Sequence, residues 1–213
     1  NTVTDTLEAL SMGDPTNFLN LSVFPLLGTT GYERNYLTLS EAVRTGKASV
    51  REVSKGGSVP ELMLKNKGKK PVLILEGEEP VGAKQNRIAN LTILAAAESK
   101  TVIPVSCVEA GRWSYRSENF DVSERAQFSR GRAAKAAALS ANMKATGTHG
   151  ADQNMVWDNI QAKQSRMAVE SPTSAMADMY DQHHERVEDY TSQFVAVENQ
   201  VGVLFAIDGE VEG

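Results

Sequence analysis

The stretch Val72-Leu73-Ile74-Leu75-Glu76-Gly77-Glu78-Glu79 decides how the rest of the chain is read. Four consecutive apolar residues are apolar on both faces of a strand, which places residues 72–75 in the middle of a sheet. Around it lie further short strand candidates at residues 21–27, 49–54, 61–65, 90–94 and 101–109. Polar turns such as Lys55-Gly56-Gly57-Ser58 and Asn66-Lys67-Gly68-Lys69-Lys70 separate them. Pro104, inside the last candidate, predicts an edge or a bulge there. Thr38-Leu39-Ser40-Glu41 puts a hydroxyl three residues before a carboxylate, and Gly46 supplies a stop, so a short helix is predicted over residues 39–45. Many short strands without long intervening helices favour antiparallel pairing.

After Trp113 the pattern becomes helical. Ser123 is the expected cap of an Ala-rich helix over residues 124–145 that ends at Gly147. A second helix is predicted over residues 152–168, with Val156, Ile160, Lys163 and Met167 on one stripe. The third starts at Ser171-Pro172, and Met176, Met179, Tyr180, His183, Val187 and Tyr190 form its apolar side. Residues 201–207 read as a strand returning to the sheet. The expectation is one α+β domain over residues 1–213: an antiparallel β-sandwich or barrel-like sheet from the N-terminal half, flanked by about three C-terminal helices and that returning strand.

Composition narrows the function. The chain has 213 residues, 41% hydrophobic and 23% charged, enough for an apolar core without staples. One cysteine excludes an intramolecular disulfide framework and a Cys-rich zinc module. A formal net charge of −5 argues against a surface that coats nucleic acid or anionic lipid. No apolar run approaches the ~20 residues of a membrane helix. A soluble, cytoplasmic protein is expected, with neither membrane nor nucleic acid as its partner.

The densest run of reactive groups, from Glu76 to Arg87, leaves the central strand. Lys84 and Arg87 suit phosphate or carboxylate as point charge and fork, while Gln85 and Asn86 suit a sugar or base. Glu76 and Glu78 suit acid/base work or a hard cation such as Mg²⁺. The alternative is a charged hairpin whose side chains compensate one another. Gly77 and Gly82 have the spacing of a phosphate-binding loop, but Ala83 stands where its lysine belongs.

A second cluster runs from Ser106 to Trp113. Period-two alternation puts Ile103, Val105, Cys107 and Glu109 on one face, so Cys107 is expected beside the core as a structural thiol. Glu109 and Arg112 sit where the strand leaves the sheet, as site residues or as a mutual ion pair. His183 and His184 point about 100° apart on a helix and chelate poorly, and His149 lies in a loop. Arg125, Arg130, Arg132, Lys135 and Lys144 form a basic face that either steers an anion or lies against the acidic third helix, with its Asp178, Asp181, Glu185, Glu188 and Asp189.

The runs from Pro71 to Glu79, Val81 to Arg87 and Ile103 to Trp113 together resemble the prokaryotic ARG and rhodanese-phosphatase-associated protein domain, where ARG denotes ADP-ribosylglycohydrolase. The resemblance extends through Tyr36-Leu37-Thr38-Leu39, the segment from Asp152 to Trp157, Ser171-Pro172-Thr173 and the strand at Gly202. It implies a role near NAD-derived or ADP-ribosylated molecules, without naming a reaction. Family members continue past the final strand, which implies a C-terminal element beyond Glu212-Gly213. Two main readings result, beside a third, a cysteine-dependent enzyme, that requires Cys107 to be accessible. In the first, the protein recognises or hydrolytically processes an anionic nucleotide-like ligand. Glu76, Glu78 and Glu109 are then the catalytic candidates, and Lys84, Gln85, Asn86, Arg87 and Arg112 bind the ligand. No metal set and no particular cofactor is assigned. In the second, the polar runs are buried networks of a non-catalytic interaction or scaffold protein that forms a homo-oligomer.

Overall fold

The structure, a computed structural model, describes residues 2–28, 34–54, 56, 58, 60–147 and 151–212. Lys55 and Gly57 of the expected glycine turn, and His149, lie outside the described residues. The chain opens with α1 (Thr2–Glu8), β1 (Ser11–Met12), β2 (Thr16–Phe18) and β3 (Leu21–Leu27). Next come β4 (Leu37–Thr38), α2 (Leu39–Arg44), β5 (Ala48–Glu52), β6 (Glu61–Asn66) and β7 (Val72–Ile74). The middle of the chain holds β8 (Glu78–Gly82), β9 (Arg87–Ala89), β10 (Ile93–Ala95), β11 (Lys100–Cys107) and β12 (Phe120–Ala126). It closes with α3 (Ser129–Thr146), α4 (Gln153–Arg166), α5 (Ala177–Gln182), α6 (His184–Gln193), β13 (Gln200–Ile207) and β14 (Glu210–Val211). This is an α+β fold.

The chain divides into two compact units. One, built from residues 1–34 and 183–213, is an antiparallel sheet in the order β1-β3-β13-β14, with β2 also on β3. Its centre is the long β3/β13 pairing, from Leu26 opposite Gly202 to Leu21 opposite Ile207. Helix α6 meets β2 through an edge-to-face contact of Tyr190 with Phe18 at 5.1 Å, and the Tyr190 hydroxyl donates to Asn20 at 2.8 Å.

The other unit, residues 35–182, holds the two remaining sheets. The six-stranded one runs β8-β12-β5-β6-β11-β9 and is antiparallel throughout. Its terminal strands approach each other, and Gly77 N–H donates to the Ala89 carbonyl at 2.9 Å, so the sheet curls into a nearly closed barrel. Alternation fills its interior: Ala48 and Val50 from β5, Leu62 and Leu64 from β6, Ile103 and Val105 from β11 are all buried. The three-stranded sheet has β7 at its centre, antiparallel to β10 and parallel to β4, so residues 72–74 occupy the middle position that their composition predicts. A second apolar cluster of Ile88, Val108, Val156, Ile160, Met176 and Met179 seats α4 and α5.

Helix α2 forms as its ends dictate. The Thr38 hydroxyl accepts from Glu41 N–H at 3.2 Å, and the Glu41 carboxylate accepts from Thr38 N–H at 2.8 Å. Pro104 marks neither an edge nor a bulge. It stands where β11 exchanges one partner for another, pairing with β6 up to Pro104 and with β9 from Val105.

Three expectations are corrected. Ser123 caps no helix, because residues 120–126 are strand β12, and α3 starts at Ser129. Burial of Phe120, 1% exposed and paired with both Val50 and Gly82, outweighs the helical propensity of its neighbours. The strand expected over residues 90–94 starts later, as β10, because the chain bends at Asn90 and Leu91 on leaving β9. The third helix does not begin at Ser171-Pro172. Ala175 bridges to Glu109 and Met176 N–H donates to Val108 O, so this stretch serves strand-like contacts. Beyond it the expected single helix is two, α5 and α6, in different units. No helix of the described residues is long and apolar enough to cross a membrane.

Thr38→Ala removes the α2 cap and is expected to cost about 1 kcal/mol. A lower denaturation midpoint of that order in a urea titration checks it.

Candidate functional site

Two polar runs meet in the second unit. The β8/β9 turn, residues 83–86, is folded by Gly82 at φ +118°, where a Cβ would stand 2.6 Å from the Ser117 hydroxyl. Ala83 comes next, at φ +38°. Against this turn lies the exit of β11. The Arg112 guanidinium donates to the carbonyls of Ala83 (2.8 Å), Ser114 (2.9 Å) and Gly82 (3.2 Å), and to Asn86 Oδ1 (3.2 Å). It also pairs with Glu109 at 2.7 Å. Glu109 accepts in addition from Asn86 N–H and from the Thr173 hydroxyl, both at 3.2 Å. Burial pushes the Glu109 carboxyl up, but Arg112, the Asn86 N–H and Arg116 together outweigh it and hold it below the usual carboxylate range. Gly111 lets this exit press on the chain at Thr173, where a Cβ would stand 2.9 Å from Cα of Thr173.

Gln85 and Arg87 are sealed behind that frame. Gln85 Oε1 accepts from Arg87 at 3.0 Å and from the Cys107 thiol at 2.9 Å. Arg87 is 0% exposed, faces the Trp113 ring at 5.6 Å, and stands 3.9 Å from the buried Glu52 carboxylate. Burial pushes the Cys107 thiol up to about 11, against the pull of Arg87. It is therefore uncharged at neutral pH, as a structural thiol should be. Lys84 remains on the outer side, its ammonium 5.0 and 5.2 Å from the Trp113 and Tyr115 rings.

The carboxylates at the start of the run go elsewhere. Glu76 pairs with Lys135 of α3 at 2.9 Å and lines a different pocket from Glu109. Glu78 turns back to accept from Leu75 N–H at 2.9 Å, and burial raises its pKa. The structure thus brings Asn86, Glu109 and Arg112 together with Gln85 and Arg87 behind them, and separates Glu76 and Glu78 from that group.

Asn86 and Glu109 reach a polar pocket of about 400 Å³. Its wall also carries Arg116, Asp121, Arg125, Asp178 and Asp181, none of which sequence reasoning assigns to the site. One signal points there: the basic run is expected to lie against the acidic third helix, and Arg125 does pair with Asp181. Arg125 also donates to Glu79 at 3.2 Å. Glu79 is fully buried, and its Oε1 has no hydrogen-bond partner among the described residues. Burial pushes its carboxyl up to about 7, although Arg125 and the Ser123 hydroxyl pull it down. Among the described residues no group of three His, Cys, Asp or Glu side chains is placed to hold a metal ion.

The exits of strands in an antiparallel barrel thus line a pocket of mixed charge. The chain belongs to the ARG and rhodanese-phosphatase-superfamily-associated protein domain family, whose family model matches residues 9–213. No curated protein and no solved structure matches it.

Because the Glu79 pKa is higher folded than unfolded, the folded chain binds the extra proton between the ordinary carboxylate range and about 7, and stability falls as pH rises through that window. Glu79→Gln is expected to remove this slope, becoming more stable than the parent above pH of about 7. Melting temperatures of both proteins across this range test it, and parallel curves would refute the assignment.

Proposed function

We propose that the polar pocket of the second unit recognises a small phosphorylated sugar of the ADP-ribose kind. The observation that carries this reading is the lining itself: carboxylates and guanidiniums share the wall of one open pocket of about 400 Å³. Carboxylates accept hydrogen bonds from sugar hydroxyls, and guanidiniums match phosphate oxygens as a fork. Arg116 is the anion-binding group of this proposal. Its side chain is 62% exposed, and among the described residues its ion pair is with Glu109, at 3.8 Å. Arg125, engaged by Glu79 and Asp181, adds fixed positive charge to the same wall. Asp121 faces the ligand as the acceptor for its hydroxyls. The family name, with its tie to ADP-ribosylglycohydrolase, supports the ligand class by association.

The pocket is assigned recognition alone. Glu109 is held by Arg112 and Thr173, Asp181 by Arg125, and Asp178 by the Ser171 hydroxyl, so these carboxylates are committed to partners. Calorimetry of the purified chain with ADP-ribose tests it. Heat of binding is expected, with affinity reduced about tenfold or more in Arg116→Ala through loss of a charge-assisted contact. Absence of heat, or equal affinity in the variant, would overturn it.

A second reading has its own observation. Gln85, Arg87 and Arg112 are 5%, 0% and 6% exposed; Arg87 is bonded to Gln85, and Arg112 to the turn. For these three, the function proposed is to fix the strand ends as a scaffold and not to touch ligand. Arg112→Ala, which strands a buried Glu109, is expected to cost about 3–5 kcal/mol. An unchanged melting curve would exclude this role.

A further inference from the structure

A second pocket, of about 440 Å³, lies in the same unit between α3 and the bend joining β9 to β10, and its chemistry differs from that of the first. Leu91, Ala136, Leu139 and Met143 give it an apolar wall. Its volume falls in the range of small-molecule sites, roughly 300–1,000 Å³.

Three polar features fix what would fit. At one end Glu76 is neutralised by Lys135, whose ammonium is 0% exposed, 2.9 Å from the Glu76 carboxylate and 2.8 Å from the Ala89 carbonyl. Beside that pair, Asn90 is 1% exposed. Its Oδ1 accepts from the Ser106 hydroxyl at 2.8 Å, while its Nδ2 donates to none of the described residues. An amide donor of a residue on the pocket wall is thereby left for an acceptor from outside the described residues. At the other end stands Lys144, exposed and without an ion pair among the described residues. Lys135 and Lys144 are nine residues apart on α3, about 13 Å along the helix axis.

We infer that this pocket binds a medium-chain aliphatic carboxylate carrying an oxygen at its far end. The carboxylate pairs with Lys144, the methylenes cover Leu91, Leu139 and Met143, and the far oxygen accepts from Asn90 Nδ2. Charge sets the orientation. At the Asn90 end Glu76 and Lys135 cancel, so the cation that attracts the carboxylate is Lys144 at the other end. The site is independent of the polar pocket and its proposed ligand, sharing none of its lining residues with that pocket.

The test is calorimetry of the whole chain with ω-hydroxydecanoate, decanoate and decanol, each below its aggregation concentration. ω-Hydroxydecanoate is expected to bind with one-to-one stoichiometry and more tightly than decanoate, and decanol to bind weakest. Lys144→Ala, at an exposed helical position, is expected to lose about tenfold or more in affinity for both acids and none for decanol. Ala136→Trp, also at an exposed position, fills the pocket and is expected to abolish binding while the melting temperature is kept. No binding by the parent, equal affinity in Lys144→Ala, or retained binding in Ala136→Trp would each overturn the site. Equal affinity for decanoate and its ω-hydroxy derivative would remove Asn90 from it.

Discussion

The Arg112 guanidinium is the interaction on which the second unit's architecture turns. One buried cation gathers three carbonyls, an amide oxygen and a carboxylate, drawn from the β8/β9 turn and from the exit of β11. Taking Arg112 and Glu109 out of water carries a large desolvation cost, which only such a dense set of hydrogen bonds offsets. The return is geometric. Two segments far apart in the chain are fixed against each other, and Gly111 allows a third, at Thr173, to close over them. Asn86 and Glu109 therefore face the polar pocket with their orientations set by bonds behind the wall.

Much of the fold is legible in the sequence because its elements announce themselves locally. The capping pair Thr38 and Glu41, the αL glycine at 147 and the apolar runs at residues 21–27 and 72–75 need no distant partner to be read. The failures are places where a distant partner decides. Residues 120–126 are a strand because Phe120 is buried between β5 and β8, and nothing in Ser123-Glu124-Arg125-Ala126 carries that information. The stripe from Met176 to Tyr190 has helical spacing throughout, yet Met176 and Met179 are buried in a core while Val187 is 41% exposed. Spacing reports a period and leaves the packing partner undefined.

The candidate site is legible in part for the same reason. Both polar runs stand out in the sequence, and Asn86, Glu109 and Arg112 do converge. Which side of a turn a side chain takes is set by the Ala83 and Gly82 backbone, so the burial of Arg87 and the departure of Glu76 to Lys135 have no signature in residue order. Asp121, Asp178 and Asp181 come from segments without a motif. Only the complementary charge of two runs hints at where they meet.

The pairing of β3 with β13 has a consequence for how the chain is made. These strands stand near opposite ends of the sequence, with the whole of residues 35–182 between them. On a ribosome the barrel can close as soon as its own continuous stretch has emerged, whereas β3 must wait with a bare hydrogen-bonding edge until β13 has also been made. The early strand is thus a segment in need of shielding from other nascent chains, and its sheet closes after the barrel.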